Sequence, residues 1–324
     1  MKLNDIAEKC GVSSSTVSRA LNNDPRISRE TTQRIHKAAA KYNFTINKRK
    51  RPASRSQVSL LLVIPDSTKI GHNPFFDMGE LVNSINSAFV QEKTGIDTKT
   101  FSQLKLWEKD NEFNYSGVIF AFGKAPKAVK LKLQRNNIPY IFLNRTFQQE
   151  NYVSCNNVKG VIKLIEFLQH KGMKRIGYLG CPDIAVNEDR LRGYQIACLE
   201  QFGSRDQSLV YNVESINAVN EECASYFLNR KCDAVFGFND NFAIRLISAF
   251  QSLGVKVPGD MSVTGFDNSP LRAIYKPLLT TISLSTFEMG FFAARWLSDN
   301  IRHRETRQLR LEVDGELLVG ESVR

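Results

Sequence analysis

DIAEKCGVSSSTVSRALNNDPRISRETTQRI, residues 5–35, is the stretch whose reading decides how this chain begins. Leu3, Ile6, Ala7 and Cys10 fall at i, i+3, i+4 and i+7, the spacing of one apolar face of a short helix. Gly11 ends that helix, since glycine takes a positive φ at little cost. Ser13 is placed to cap a second helix, SSTVSRALN, with Val17, Ala20 and Leu21 on its inner face and Ser14, Ser15, Ser18 and Arg19 outward. Asp24-Pro25 marks a turn, and Ser28 caps a third helix, RETTQRIHKAAAKYNF, with Ile35, Ala38, Ala39 and Tyr42 inward.

A helix, a glycine turn and a second helix with small polar residues and one Arg outward suit a major-groove reader. Small side chains let the backbone approach base edges, and Arg19 could fork onto a guanine. The charge agrees: residues 1–56 hold 13 Lys/Arg against 4 Asp/Glu, a net of +9 out of +11 for all 324 residues. A basic head on a nearly neutral body points to a polyanion gripped at one end, with phosphates supplying affinity and base contacts supplying choice.

Other classes find little support. Residues 1–12 are too polar for a signal peptide, and no apolar stretch is long enough to span a bilayer, so a cytoplasmic location is expected. The six cysteines (Cys10, Cys155, Cys181, Cys198, Cys223, Cys232) include no C-x-x-C pair and read as reduced thiols. With four scattered histidines, neither a metal site nor a cofactor is expected. There is no phosphate loop, no G-x-S-x-G and no strand-borne G-x-G-x-x-G. An enzyme fused to the head would have to rest on Asp240 and Asp267 as paired carboxylates, with no supporting group, so no catalytic residue is assigned.

After residue 57 the pattern changes. VSLLLVIPD (58–66), SGVIFAF (116–122) and IPYIFLN (138–144) are apolar runs ended by polar or turn residues, as buried parallel strands are, and a helical stretch covers 78–91. The rhythm restarts after residue 155. GVIKLIEFLQHKG, DRLRGYQIACLEQFG and NFAIRLISAFQSLG read as helices, and RIGYLG, AVFGFND and MSVTGFDN as strands. Two such series predict an α/β body of two doubly wound parallel-sheet lobes behind an all-α head.

Ligands of open parallel sheets sit beyond the carboxyl ends of strands. Those ends carry Asp66, Asn144, Asn239-Asp240 and Asp267, and the helix start at Arg190 would face the same side. Amides, carboxylates and a guanidinium together suit a polyhydroxylated ligand, and Phe75, Phe76 and Tyr275 could stack on an apolar sugar face. Taken singly, each polar residue reads equally well as a strand-end cap or a surface group.

The run at 5–35, and GVSSSTVSRALN within it, resembles the LacI/GalR family of bacterial transcription repressors. The resemblance implies that Ser14, Ser15 and Arg19 read bases, while Ser13, Thr16, Ser18, Asn22, Arg26, Ser28 and Thr31 hold or approach phosphates. Two serines replace the bulkier reading pair of better-known members, so operator preference does not transfer. In the family, the linker folds on DNA as a hinge helix that wedges a leucine into the minor groove. Here NKRKRPASRSQ (47–57) places Ala53 about there, after Pro52. It reads either as a flexible basic linker gripping phosphates through Asn47, Lys48, Arg49, Lys50 and Arg51, or as a shortened hinge helix starting near Pro52.

NPFF (73–76), DRLRGY (189–194), GFNDNFAI (237–244), SVTGFDNSPL (262–271) and PLLTTI (277–282) resemble the family's sensor domain, itself similar to periplasmic sugar-binding proteins. The likeness is weak at 92–115 and 203–222. It implies effector contacts from Arg190, Asn239 and Asp267, then from Asn144, Asn73, Phe75 and Phe76, while Leu284 stands where some members have a polar contact. GVIFAFGK with NSPLRAIYKPLLTTI resembles the branch controlling β-galactoside utilisation. The expected organisation is a head at 1–46, a linker at 47–57 and a sensor at 58–324. Within the sensor, one lobe takes about 58–155 and 285–312 and the other about 156–284 and 313–324. The resemblance implies a homodimer on a pseudo-palindromic operator, released by a sugar. A regulator answering to a corepressor or protein partner is the alternative. The end GELLVGESVR, with no appended heptad helix, favours a dimer over a tetramer.

Overall fold

The computed structural model describes residues 3–21, 27–41, 57–66, 75–90, 92–106, 114–303 and 308–324. The chain divides into two compact units, residues 1–56 and 57–324.

The first unit holds α1 (Leu3–Lys9), α2 (Ser14–Leu21) and α3 (Arg29–Lys41). Ile6, Val17, Ala20 and Ile35 are fully buried at its centre, with Ala7 and Cys10 beside them and Val12, Leu21, Ile27 and Ala38 packed around. Gly11 sits at φ +61° between α1 and α2, where a side chain would be strained. Ser13 Oγ accepts from Thr16 N–H at 3.2 Å, and Ser28 Oγ from Thr31 N–H at 3.3 Å, so both expected serine caps are formed. Tyr42 lies outside the described residues.

The second unit opens with β1 (Gln57–Ile64), α4 (Met78–Ser87), β2 (Lys93–Thr100), α5 (Phe101–Leu106), β3 (Gly117–Ala121), α6 (Lys127–Arg135), β4 (Tyr140–Leu143) and β5 (Tyr152–Cys155). It continues with α7 (Asn157–His170), β6 (Ile176–Gly180), α8 (Val186–Phe202), β7 (Val210–Asn212), α9 (Glu221–Asn229), β8 (Ala234–Gly237), α10 (Asp240–Ser252) and β9 (Ser262–Asp267). Then come β10 (Thr280–Ser283), α11 (Thr286–His303), β11 (Arg310–Val313) and β12 (Leu317–Leu318). Among the described residues these strands form two six-stranded sheets, ordered β11-β5-β4-β3-β1-β2 and β12-β10-β9-β8-β6-β7. Every pairing is parallel except β10 with β12. The body is therefore two doubly wound α/β lobes, and the carboxyl ends of each lobe's strands lie on one side.

Strands β3, β6, β8 and β9 are buried along their whole length, which is why they read as unbroken apolar runs. Edge strand β2, KTGIDTKT, is polar and half exposed, so it gives no such signal. The helix expected at 78–91 stops at Ser87, with Ala88 as its cap, and α8 starts earlier than expected, at Val186.

The chain crosses between lobes at residues 155–157, 283–286 and 313–317. The crossings are tied to one another: Asn156 N–H donates to Val313 O at 2.8 Å, Glu316 N–H to Ser283 Oγ at 2.9 Å, and Lys163 Nζ to Gly315 O at 2.9 Å. A Cβ on Gly315 would lie 2.4 Å from Ser283 O, so only glycine fits there. Among the described residues no helix is long and apolar enough to cross a membrane.

Candidate functional site

In the head, the caps that start α2 and α3 also fix which side chains face outward. Ser13 Oγ is 2.8 Å from Ser15 Oγ and 2.8 Å from Thr16 Oγ1, a hydroxyl cluster at the start of α2. Ser15 and Arg19, one turn apart, are exposed; Ser14 and Thr16 are half-buried. Ser18 lies on the same helix, while Ser28 and Thr31 begin α3 with their hydroxyls 2.8 Å apart. A helix with a small-hydroxyl start and an exposed Arg offers base-edge and phosphate donors together. Asn22, Arg26 and Asn47, Lys48, Arg49, Lys50 and Arg51 lie outside the described residues.

In the body, Asn187 near the start of α8 is buried, its Oδ1 accepting from Tyr178 Oη–H at 2.8 Å and Cys181 N–H at 3.0 Å. That anchor sets α8 against the end of β6 and sends Arg190, one turn on, across the carboxyl ends of β8 and β9. The Arg190 guanidinium is 1% exposed and bonded on every edge. Nε donates to Asn157 Oδ1 at 2.8 Å, Nη1 to Phe238 O at 2.7 Å and Nη2 to Asp267 Oδ1 at 2.6 Å. Its flat face lies 3.9 Å from the centroid of the Phe266 ring. One arginine thus ties the carboxyl ends of β8 and β9 to the start of α7.

Asp267 closes β9 with φ 111°, a conformation costly for any residue with a Cβ. Phe122 (φ 62°), Asn144 (φ 51°), Asn268 (φ 54°) and Ser285 (φ 54°) share the left-handed region, each just past a strand. Strained turns therefore ring the carboxyl ends of both sheets. Burial raises the Asp267 carboxyl to about 6, with Arg190 opposing, so it is ionised at neutral pH.

Asn144 is 2% exposed and accepts from Ser154 Oγ–H at 3.4 Å. Asn239, buried at the end of β8, caps α10, its Oδ1 accepting from Phe242 N–H at 3.0 Å. Phe75, half-buried, meets Phe122 edge-on at 4.9 Å, and Phe76 packs under both, 4.3 Å from Phe122. Phe122 N–H donates to Leu143 O at 2.9 Å, which brings this aromatic cluster beside Asn144. Asn73 lies outside the described residues, and Leu284 is a buried core residue.

Three residues from the strand-end reading are bonded to other side chains of the body. Asp240 is fully buried, its Oδ2 accepting from Ser269 N–H at 2.7 Å and its Oδ1 from Thr281 Oγ–H at 2.5 Å. Burial foremost, then Asp267, pushes it up to about 8. Asp66 accepts from Ser102 Oγ–H at 2.9 Å, on the far side of β3 from Asn144. The Tyr275 hydroxyl bonds to Ser248, two turns along α10 from Asn239. Sequence reasoning missed Asn157, Phe122 and Arg145. Arg145 directly follows Asn144, donates to Asn144 O at 2.8 Å and lies within electrostatic reach of Arg190 and Asp267. A separate cavity of about 760 Å³ opens at the opposite, amino ends of β4 and β5, between Tyr140, Asn151, Trp296 and Asn300, and holds none of these residues.

A helix-turn-helix head joined to a two-lobed α/β body defines a DNA-binding transcriptional regulator. Residues 2–47 match the model of "Bacterial regulatory proteins, lacI family", and residues 165–323 match that of a periplasmic binding protein-like domain. The chain belongs to the LacI family of transcriptional regulators. It is 28% identical to the transcriptional regulator DegA of Bacillus subtilis, over 98% of this chain and 96% of that protein. It is 27% identical to the transcriptional repressor CytR of Escherichia coli, over 99% and 96%. Among solved structures, a CelR–cellobiose complex matches with TM-score 0.70 at 24% identity, covering 99% of each chain. A lac repressor dimer bound to operator and an anti-inducer matches with TM-score 0.64 at 21% identity, covering 99% of this chain and 98% of that one.

Proposed function

We propose that this chain is a repressor whose operator affinity falls when a small sugar binds between the two lobes. The observation that carries the reading is the polar knot of Arg190, Asp267 and Asn157 in the second lobe, with Asn239 past the neighbouring strand β8 and, in the first lobe, Asn144 past β4 beside the Phe75 and Phe122 rings. Amides and a guanidinium bind vicinal hydroxyls in pairs, and an aromatic edge covers the apolar face of a pyranose. Two fold relatives are complexes with cellobiose and with an anti-inducer, which supports the ligand class proposed for this body.

Ser14, Ser15 and Arg19 read bases, and Ser13, Thr16, Ser18, Asn22, Arg26, Ser28 and Thr31, with the basic stretch Asn47 to Arg51, hold the backbone. A homodimer places two heads on a pseudo-palindromic site, since a two-fold protein needs two half-sites. The sugar acts only as far as it binds one arrangement of the lobes better than the other. The lobes hinge at the three crossings around Gly315.

The test is operator binding by the full chain at fixed salt, with and without each sugar of a panel that includes β-galactosides. Release by one sugar supports the reading. Tightening by a sugar makes it a corepressor-dependent regulator, and indifference to every sugar moves the signal to a protein partner.

A further inference from the structure

The charges gathered around Arg145 and Arg190 do not balance. Arg190 and Asp267 neutralise each other at 2.6 Å with both side chains almost wholly buried. Asp189, the other carboxylate that acts on Arg145, is bound by Arg192 at 2.7 Å. Asp240 points both oxygens into the protein, toward Ser269 and Thr281. Asp66 is held by Ser102 two strands away from Asn144. The remaining polar groups, Asn144, Asn157 and Asn239, are neutral amides.

Arg145 is left over. It is half-buried, its bond to protein goes to the backbone carbonyl of Asn144, and it makes no ion pair among the described residues. Burial and the neighbouring Arg190 charge lower it to about 10, as happens where a guanidinium is dehydrated beside another cation. A guanidinium partly withdrawn from water with no carboxylate in ion-pair contact is a poor structural element but a strong receptor for one, because its planar fork matches a carboxylate or phosphate in bidentate fashion.

We propose that the effector is an anionic sugar, its carboxylate or phosphate held by Arg145 while its hydroxyls meet Arg190, Asp267 and the amides. The proposal rests on the reading of the interlobe cleft as the effector site and narrows the ligand class from sugars in general to acidic ones. The surplus cation also draws an anion toward the cleft and disfavours cationic amino sugars.

Calorimetry and operator release are measured on the full chain with matched sets: glucose, glucuronate and glucose 6-phosphate; galactose, galacturonate and galactose 6-phosphate. At least one acid is expected to bind tenfold or more tightly than its neutral parent and to release the operator, with the carboxylate and phosphate members telling the two anions apart. Arg145→Gln should bring acid and parent to within about twofold, and Arg145→Lys should restore part of the preference, with operator binding in the absence of sugar reporting whether each variant is folded. If a neutral sugar binds as tightly as its acids and releases the operator, the charge inference falls and the sugar-effector reading stands. If no member binds while the operator remains bound, both fall. An acid preference that survives Arg145→Gln assigns the anion to another residue and overturns the role given to Arg145.

Discussion

Arg190 Nη2 donates to Asp267 Oδ1 at 2.6 Å, and the two side chains are only 1% and 3% exposed. The pair joins α8 to the end of β9 through a residue held at φ 111°, so the fold and the proposed effector contacts depend on the same bond. Removing one partner strands the other as a buried charge. Arg190→Met is expected to lower unfolding free energy by about 3–5 kcal/mol. Arg190→Met combined with Asp267→Leu should lose less than the sum of the single changes. Urea denaturation of the three variants measures this, and additive losses would show that the pair is not coupled.

Asp240 gives stability a definite pH dependence. Its carboxyl is raised from about 4 to about 8 in the fold, so across that window the folded chain keeps a proton the unfolded chain has released. Stability therefore falls as pH rises through the window. Asp267, raised to about 6, adds to the fall in its lower half. When protonated, Asp240 Oδ1 can donate to Thr281 Oγ1, which turns its own proton to Ile282 O at 3.4 Å. Asp240→Asn should flatten the dependence between about pH 6 and 8. Urea midpoints that rise with pH in wild type over that range would contradict this assignment.

Arg19 is exposed one turn after Ser15, on the face of α2 that carries no core residue. Arg19→Ala is expected to weaken operator binding by about 1–3 kcal/mol, the worth of one bidentate base contact. Binding to scrambled DNA should change little. Fluorescence anisotropy with both duplexes at several salt concentrations separates a base contact from a phosphate contact, which would lower both affinities alike.

Gly315 and Gly203 predict different consequences for the same change. Gly203 caps α8 at φ 67° with open space around it, so Gly203→Ala should cost about 1–2 kcal/mol of backbone strain and leave the sugar response intact. At Gly315 the new methyl would meet Ser283 O and Ile282 Cγ2 at 2.4 and 2.5 Å. Overpacking there is expected to cost about 1–3 kcal/mol and to alter release of operator by effector, because the crossings must shift. Equal effects of the two substitutions on effector response would argue against a hinge at the crossings.

The linker carries Ala53 after Pro52, with no leucine to wedge into a base step. Bending of the operator is expected to be weaker than in relatives that insert one. Circular-permutation gel shifts measure the angle, and a sharp central kink would refute the expectation.

The head was legible because every device that builds it is local: apolar spacing, Gly11 at positive φ, and serine caps at 13 and 28. The central strands were legible because burial on both faces leaves unbroken apolar runs, while polar β2 at the sheet edge carried no such mark. At the carboxyl ends of the sheets, strand ends located Asn144 and Asp267 and a helix start located Arg190, but position along a strand does not fix where a side chain points. Asp240, opening α10 one residue past the Asn239 cap, turns inward to Thr281, and Asp66 turns to Ser102. Arg145 had a signal, being the residue after a strand-end polar group. Asn157 had none stronger than the Asn156-Asn157 pair before a helix, since its partner Arg190 lies 33 residues away.

Strand β11 completes the first sheet and β12 the second, and Ser322 bridges the second lobe, accepting from Thr280 N–H at 2.8 Å and donating to Val263 O at 2.5 Å. Neither lobe can close its sheet until residues 310–322 have left the ribosome, whereas Ile6, Val17 and Ile35 are buried in a cluster drawn from residues 6–38. During synthesis the DNA-gripping part is finished long before the sensing part. A nascent or truncated chain would therefore hold a folded head before the body through which the proposed sugar signal acts.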